Sequence, residues 1–207
     1  MRENATIHVV DDDAAVRDSL RWVIESNGWK VEAHPTAEAF LNSYTPNQLG
    51  CLILDVRMPG MSGPELQKLL SERQCSMPII FISAHGTVPV AVRAMQAGAI
   101  DFIMKPFDNN TLLERVDQCV ERARQQVDFN KEKSIARKRL ANLTAREREI
   151  MELVVAGKPN KIIAAELHIS IKTVEAHRAK IMHKLQVHSL AELVSLSLTH
   201  LLAKGKP

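Results

Sequence analysis

Four short apolar runs in the first half of this 207-residue chain each stop on a residue with chemistry to offer. Ile7-His8-Val9-Val10 stops on Asp11-Asp12-Asp13, Cys51-Leu52-Ile53-Leu54 on Asp55, Pro78-Ile79-Ile80-Phe81-Ile82 on Ser83, and Ala99-Ile100-Asp101-Phe102-Ile103-Met104 on Lys105. Runs this short suit strands buried on both faces, which places the closing residue at a strand's carboxyl end. In an open parallel sheet that rim is where ligands and chemistry collect. Taken singly, an aspartate there is a turn former, a serine a helix cap and a lysine a solvated strand end. Taken together they suit phosphate chemistry on a carboxylate. Clustered aspartates repel unless a hard cation lies among them, and Mg²⁺ accepts oxygen ligands from few carboxylates and keeps several waters. Lys105 can then hold phosphoryl oxygens as a point charge while Ser83 donates one hydrogen bond to them.

The segments between these runs predict the elements that position them. Val16, Leu20, Val23 and Ile24 recur at helical spacing up to Gly28, and Trp29-Lys30-Val31-Glu32-Ala33 alternates as a strand. Thr36 caps a short helix holding Ala39, Phe40 and Leu41 and ending before Pro46. Ser62-Gly63-Pro64 opens another, with Leu66, Leu69 and Leu70 as its buried face. A further helix covers Val88 to Ala97 and stops at Gly98; the next begins at Thr111 with Leu112, Leu113, Val116, Cys119 and Val120. Five βα units in strict alternation predict an α/β fold, a parallel sheet with right-handed crossovers and helices on both faces.

VVDDD, LDVRMPGMSG, FISAHG and KPF together resemble the receiver domain of bacterial two-component response regulators, over about residues 5 to 122. The resemblance implies a flavodoxin-like, doubly wound five-stranded sheet with Asp55 as phosphoacceptor, charged from the phosphohistidine of a sensor histidine kinase. It implies Mg²⁺ held by Asp12, Asp55 and the backbone carbonyl of Arg57, with Asp11 acting mainly through water. It implies Ser83 as the switch hydroxyl, Phe102 as the switch aromatic, and a cis Lys105-Pro106 peptide. The Arg57 side chain stands where such families vary.

Length and composition agree with two small domains: 45% of residues are hydrophobic and 25% charged. The N-terminus carries no apolar signal core and no uncharged stretch approaches a membrane span, so a cytoplasmic protein without a membrane partner is expected. Cys51, Cys75 and Cys119 are odd in number and widely spaced, and read as reduced core thiols. The formal charge of +3 hides an asymmetry: residues 1–120 hold ten basic against fifteen acidic side chains, residues 121–207 seventeen against nine. A basic rear half suits a polyanion such as DNA, although lysines and arginines on solvated helices would give the same count.

Glu121 to Arg139 continues the preceding helical pattern with charged residues and no Gly or Pro, which allows either a helical linker over 123–140 or a frayed one. Thr144 and Glu147 form a capping box, and Ile150, Leu153 and Val154 face inward until Gly157. Asn160 to Leu167 is a second helix, and a short turn through His168 and Ile169 leads to Ser170, the cap of a third from Ile171 to Leu185. In that third helix Val174, Arg178, Ile181 and Leu185 share one arc; Lys172, Glu175, Ala176, Ala179 and His183 share the opposite one, with Lys180 on its flank. Small residues amid polar ones let a helix press into a major groove. His177 and His183 fall on different faces, which excludes a zinc pair.

LTAREREIMELVVAGKPNKIIAAELHISIKTVEAHRAKIMHKL resembles the LuxR-type helix-turn-helix, over about residues 140 to 202, and the whole chain resembles FixJ/NarL-type regulators. The resemblance implies an all-α helix-turn-helix domain over 141–207 following a receiver over 1–122. It makes the helix from Ile171 the recognition helix and Ser189 to Leu202 a dimerising helix. Lys172, Thr173, Glu175, Ala176 and Ala179 are then candidates at the base edges, and Lys158, Lys161, Arg178, Lys180 and Lys184 candidates for phosphates. The expected protein is a transcription factor with no enzymatic turnover beyond its own phosphorylation and dephosphorylation. Its expected partners are a sensor kinase, double-stranded DNA, a second copy of itself and RNA polymerase. A Mg²⁺-dependent aspartyl-phosphate hydrolase, and an output domain that binds protein or RNA, remain as alternatives.

Overall fold

The computed structural model describes residues 5–45, 48–84 and 86–204, with side chains through Thr199. Pro46, expected just past the second helix, and His85 of the FISAHG run lie outside the described residues. The chain divides into two compact units, one ending at Val127 and one beginning at Asp128.

In the first unit the elements alternate: β1 (Thr6–Val10), α1 (Ala14–Ser26), β2 (Lys30–His34), α2 (Ala37–Ser43), β3 (Gly50–Asp55), α3 (Gly63–Glu72), β4 (Ile79–Ser83), α4 (Val88–Gln96), β5 (Asp101–Met104) and the start of α5 (Asn109–Ala141). All strand pairs are parallel, in the order β2-β1-β3-β4-β5, so the strand order reverses between β1 and β3. That reversal opens a crevice at the carboxyl ends of those two strands. β1, β3 and β4 are buried along their whole length, in keeping with their largely apolar sequences, with Thr6 and His8 of β1 buried as well.

Two apolar layers flank the sheet. Ile7, Val9, Cys51, Ile53, Ile80 and Ile82 pack against Leu20 and Ile24 of α1 and Leu112, Val116, Cys119 and Val120 of α5. Val10, Leu52, Leu54 and Phe81 pack on the other side against Phe40, Leu66, Leu70 and Ala94. Successive strand residues serve opposite layers because the pleat repeats every two. Cys51 and Cys119 are free and fully buried, their sulfurs 2.6 Å apart; Cys75 is half-buried against the Tyr44 hydroxyl.

Three expected details shift. β2 excludes Trp29, which is buried just before the strand, and takes in His34; β5 begins at Asp101 rather than Ala99. Leu69 is only half-buried, and Gln67 lies under the sheet in its place, its amide donating to the Ala94 carbonyl at 3.1 Å. That bond ties α3 to α4, a polar link that hydrophobic periodicity does not register.

α5 runs 33 residues without a break, about 50 Å at 1.5 Å per residue. The second unit continues with α6 (Ala145–Val155), α7 (Asn160–Glu166), α8 (Ile171–Leu185) and α9 (Leu190–Lys204). Its core gathers Leu140, Leu143, Ile150, Val154, Ile163, Val174, Ile181, Leu185 and Leu193. Among the described residues no helix is long and apolar enough to cross a membrane.

Candidate functional site

Three of the four strand ends supply a buried cluster. Lys105, one residue past β5, places Nζ 2.6 Å from Asp11 Oδ2 and 2.8 Å from Asp55 Oδ1. Asp11 follows β1 and Asp55 closes β3, so the lysine spans the crevice where the strand order reverses. The second oxygen of each carboxylate accepts a backbone amide: Arg57 N–H donates to Asp55 Oδ2 at 2.7 Å, and Asp13 N–H to Asp11 Oδ1 at 2.9 Å. Arg17 closes the back of the site by donating to the Asp11 carbonyl at 2.7 Å.

Burial pushes the Asp11 carboxyl above its ordinary range, against the pull of Lys105. Burial lowers the proton affinity of Lys105 too, but its hydrogen bonds to Asp11 and Asp55 outweigh that, and its net shift is upward. A cation is therefore held where two carboxylates would otherwise repel.

Asp12 is placed differently. It is exposed at the rim, and the carboxylates of Asp11, Asp12 and Asp55 do not all converge within 4.8 Å of one another. The oxygen donors at the crevice are thus two buried carboxylates and one exposed one, with the peptide of Arg57, whose side chain is exposed, beside them. This all-oxygen set fits a hard cation of the Mg²⁺ type, which takes few carboxylates and fills its remaining positions with water.

Ser83 ends β4 and is 2% exposed; its carbonyl accepts the Lys105 amide at 2.8 Å, which locks the β4 and β5 ends side by side. Phe102 is half-buried, its ring 6.2 Å from that of Phe81. The Lys105-Pro106 peptide is cis. Two glycines of the quoted motifs, Gly63 and Gly86, also shape the site. A Cβ on Gly63 would come within 2.3 Å of the Asp55 carbonyl oxygen, so only glycine lets α3 press its first turn against the end of β3. A Cβ on Gly86 would fall 2.6 Å from both the Phe102 ring and Met104 Sδ, so this glycine leaves the space that the Phe102 ring borders.

In the second unit, α8 carries the predicted face. Lys172, Glu175, Ala176, Ala179, Lys180 and His183 are exposed, while Val174, Ile181 and Leu185 are buried. Ser170 caps the helix by accepting the Thr173 amide at 3.0 Å; Thr173 itself is half-buried, its hydroxyl 2.8 Å from that of Ser170. Several cations expected at phosphates have partners inside the unit. Arg178 donates to Asn160 Oδ1 of α7 at 2.9 Å, Lys184 to Glu147 of α6 at 2.7 Å, and Lys158 to both oxygens of Glu166 at 2.7 and 2.8 Å. Lys161, on α7, is exposed. Glu147 is the polar centre of this unit: it also accepts the Thr144 amide and hydroxyl, and Lys184 followed by Thr144 holds its carboxyl down at about 2. The capping box was legible in sequence; the lysine 37 positions away was not.

Comparison with known proteins matches residues 7–117 to the response regulator receiver domain and residues 141–197 to the bacterial regulatory proteins of the luxR family. The transcriptional regulatory protein FixJ of Azorhizobium caulinodans is 45% identical over 198 residues, covering 96% of this chain and 94% of its own. The response regulator protein TodT of Pseudomonas putida strain F1 is 42% identical, covering 93% and 85%. Among solved structures, the response regulator StyR aligns with a TM-score of 0.82 at 44% identity, over 94% of this chain and 98% of its own. Full-length FixJ from B. japonicum aligns at 0.57 and 40%, over 95% and 97%.

Proposed function

Because the chain belongs to the two-component response regulators with a LuxR-type DNA-binding output domain, we propose that its control point is Asp55 and that the group transferred there is a phosphoryl. The observation that carries this reading is the Lys105 ammonium bridging Asp11 and Asp55 at the end of the sheet. One carboxylate oxygen of Asp55 attacks phosphorus, an oxygen–phosphorus bond forms, and the phosphorus–nitrogen bond to the kinase histidine breaks with the electron pair leaving on the imidazole. Asp11, Asp12, Asp55 and the Arg57 carbonyl are the groups that would hold Mg²⁺, which when bound neutralises charge on the phosphoryl oxygens.

Phosphorylation removes the negative charge that Asp55 presents to Lys105 and substitutes phosphoryl oxygens, so the ammonium follows the charge. Ser83, at the neighbouring strand end, donates its hydroxyl proton to the same oxygens, and its inward movement opens room for Phe102 to turn in. The surface of α4, β5 and α5 changes with it, and two copies associate through that surface. Paired α8 helices then enter the major groove at two half-sites of a twofold operator. Lys172, Thr173, Glu175, Ala176 and Ala179 meet base edges. Lys161 and Lys180 meet phosphates, joined by Lys158, Arg178 and Lys184 where these exchange their internal partners. Transcription is activated through RNA polymerase.

The test is to incubate the full chain with a small-molecule phosphodonor and Mg²⁺, then measure acid-stable, base-labile label and sedimentation. Wild type should take up label and shift toward dimer, and Asp55→Asn should do neither. Label retained on Asp55→Asn, or a monomeric labelled wild type, would overturn the assignment of the acceptor or of the switch respectively.

A further inference from the structure

Strands β1 and β2 pair with His8 opposite Glu32 and Val10 opposite His34, so His8, Glu32 and His34 project from one face of the sheet near its β2 edge. His8 is fully buried and His34 8% exposed, while the Glu32 side chain is one-third exposed. His8 Nδ1 lies 3.3 Å from His34 Nε2 and 3.8 Å from Glu32 Oε2, and one donor atom from each of the three side chains falls within 4.8 Å of the others. Among the described residues this is the one group of histidine, cysteine and carboxylate side chains gathered so closely. The Phe40 ring stands edge-on to both imidazoles, at 5.3 and 5.6 Å between centroids, and forms an apolar wall.

The histidine nitrogens stand 3.3 Å apart, within reach of a hydrogen bond between neutral rings. A tetrahedral cation with bonds of about 2.05 Å sets its ligands roughly 3.3 Å apart, so the two imidazoles are already at ligand spacing and Glu32 Oε2, 3.8 Å from His8 Nδ1, needs to close by about half an ångström. The other ring nitrogen of His8, Nε2, is buried, and the Gln48 side chain lies beside the ring. Lys30 takes Glu32 Oε1 at 2.7 Å, while Oε2 is the oxygen nearest His8.

We propose that His8, Glu32 and His34 form a binding site for a divalent d-block cation of the zinc class, reached from the sheet edge past Glu32. Two imidazole nitrogens and a carboxylate select such an ion over Mg²⁺, which favours all-oxygen sites. The site is separate from the acid pocket, although the His34 carbonyl accepts the Asp11 amide at 3.3 Å.

The experiment is a calorimetric titration of the full chain with Zn²⁺ in excess Mg²⁺, with imidazole nitrogens followed by NMR. One zinc per chain should bind, with the His8 and His34 ring signals shifting together. Glu32→Gln and His34→Gln should each weaken binding by roughly tenfold or more, and Asp55→Asn should leave it intact. Glu32 is at the surface, so Glu32→Gln keeps the test open if His34→Gln fails to fold. Zinc affinity unchanged in Glu32→Gln, or a folded wild type that binds no zinc under Mg²⁺, overturns the proposal and leaves the two rings as a hydrogen-bonded pair.

Discussion

Replacing Glu147 by Gln tests whether one carboxylate holds the output unit together. Glu147 accepts the Thr144 amide at 2.8 Å, the Thr144 hydroxyl at 3.0 Å and Lys184 Nζ at 2.7 Å, and so ties the first turn of α6 to α8. Its carboxyl sits at about 2 against an ordinary 4.5, with Lys184 the largest cause and the Thr144 amide next. At about 1.4 kcal/mol per unit this depression amounts to roughly 3.4 kcal/mol. That is an upper value. The side chain is only 5% exposed because Lys184 and Thr144 cover it, not because it lies deep, and Lys184 is itself 36% exposed. Solvent screening at such a pair leaves about 1 kcal/mol. Glutamine retains an acceptor for the cap but not the charge, so it should lose most of that amount.

The folded-state value is depressed, so the contribution is complete above the unfolded value near 4.5 and disappears as pH falls through about 2. The readout follows from composition: both tryptophans, Trp22 and Trp29, and the one tyrosine, Tyr44, lie in the first unit. Urea unfolding followed by tryptophan fluorescence therefore reports the receiver. Far-UV circular dichroism reports both units, and its additional transition is the output unit. Glu147→Gln should lower that second transition at pH 7 and leave the fluorescence transition in place, with the gap to wild type closing between pH 4.5 and 2. Equal midpoints at pH 7, or a gap that stays constant down to pH 2.5, would refute the assignment of Lys184 and Thr144 as the cause.

Lys105→Gln should move the Asp11 carboxyl further up, because burial then acts without its main opponent; a carbon-detected titration of the side-chain carboxyl would show an unchanged value if Lys105 were a bystander. Gly63→Ala should cost about 1 to 3 kcal/mol in the fluorescence-detected urea transition and slow labelling of Asp55, since the new methyl meets the Asp55 carbonyl; a neutral result would mean α3 slides away freely. Lys172→Ala and Lys180→Ala should each reduce the slope of log affinity against log salt by about one if the residue meets a phosphate, as expected for Lys180. A loss confined to one operator position with an unchanged slope would assign the residue to a base edge, as expected for Lys172.

The strand ends were legible because an apolar run terminated by a charge says where the chain leaves a parallel sheet, and four such runs specify one rim. Nothing in periodicity, however, says which carboxylate Lys105 will choose. The structure pairs it with Asp11 and Asp55, which end the neighbouring strands β1 and β3, and leaves Asp12 exposed. Gln67 displaced Leu69 under the sheet for a similar reason: its partner is the Ala94 carbonyl, 27 positions away. In the output unit the face of α8 could be read from its 3.6-residue repeat. That Arg178 and Lys184 are internal struts could not, because their partners Asn160 and Glu147 lie on other helices.

These struts bear on how the two halves of the chain divide their charges. In the receiver, two buried carboxylates and one ammonium leave a local excess of negative charge, which favours a hard cation and makes the pocket responsive to any change at Asp55. In the output unit the arrangement is reversed. Lys184 and Lys158 are partly neutralised by Glu147 and Glu166 and Arg178 is hydrogen-bonded to the neutral Asn160 amide, while Lys161, Lys172 and Lys180 lie exposed. Arg178 and Lys184 tie α8 to α7 and α6, and Lys158 to α7, whereas the exposed lysines leave positive charge open to solvent, where the proposed DNA contact would draw on it. Geometry and affinity are thereby assigned to different lysines and arginines. Removing Lys184 should therefore loosen the angle of α8 and weaken discrimination between operators more than it changes the salt slope, whereas removing Lys180 should do the opposite.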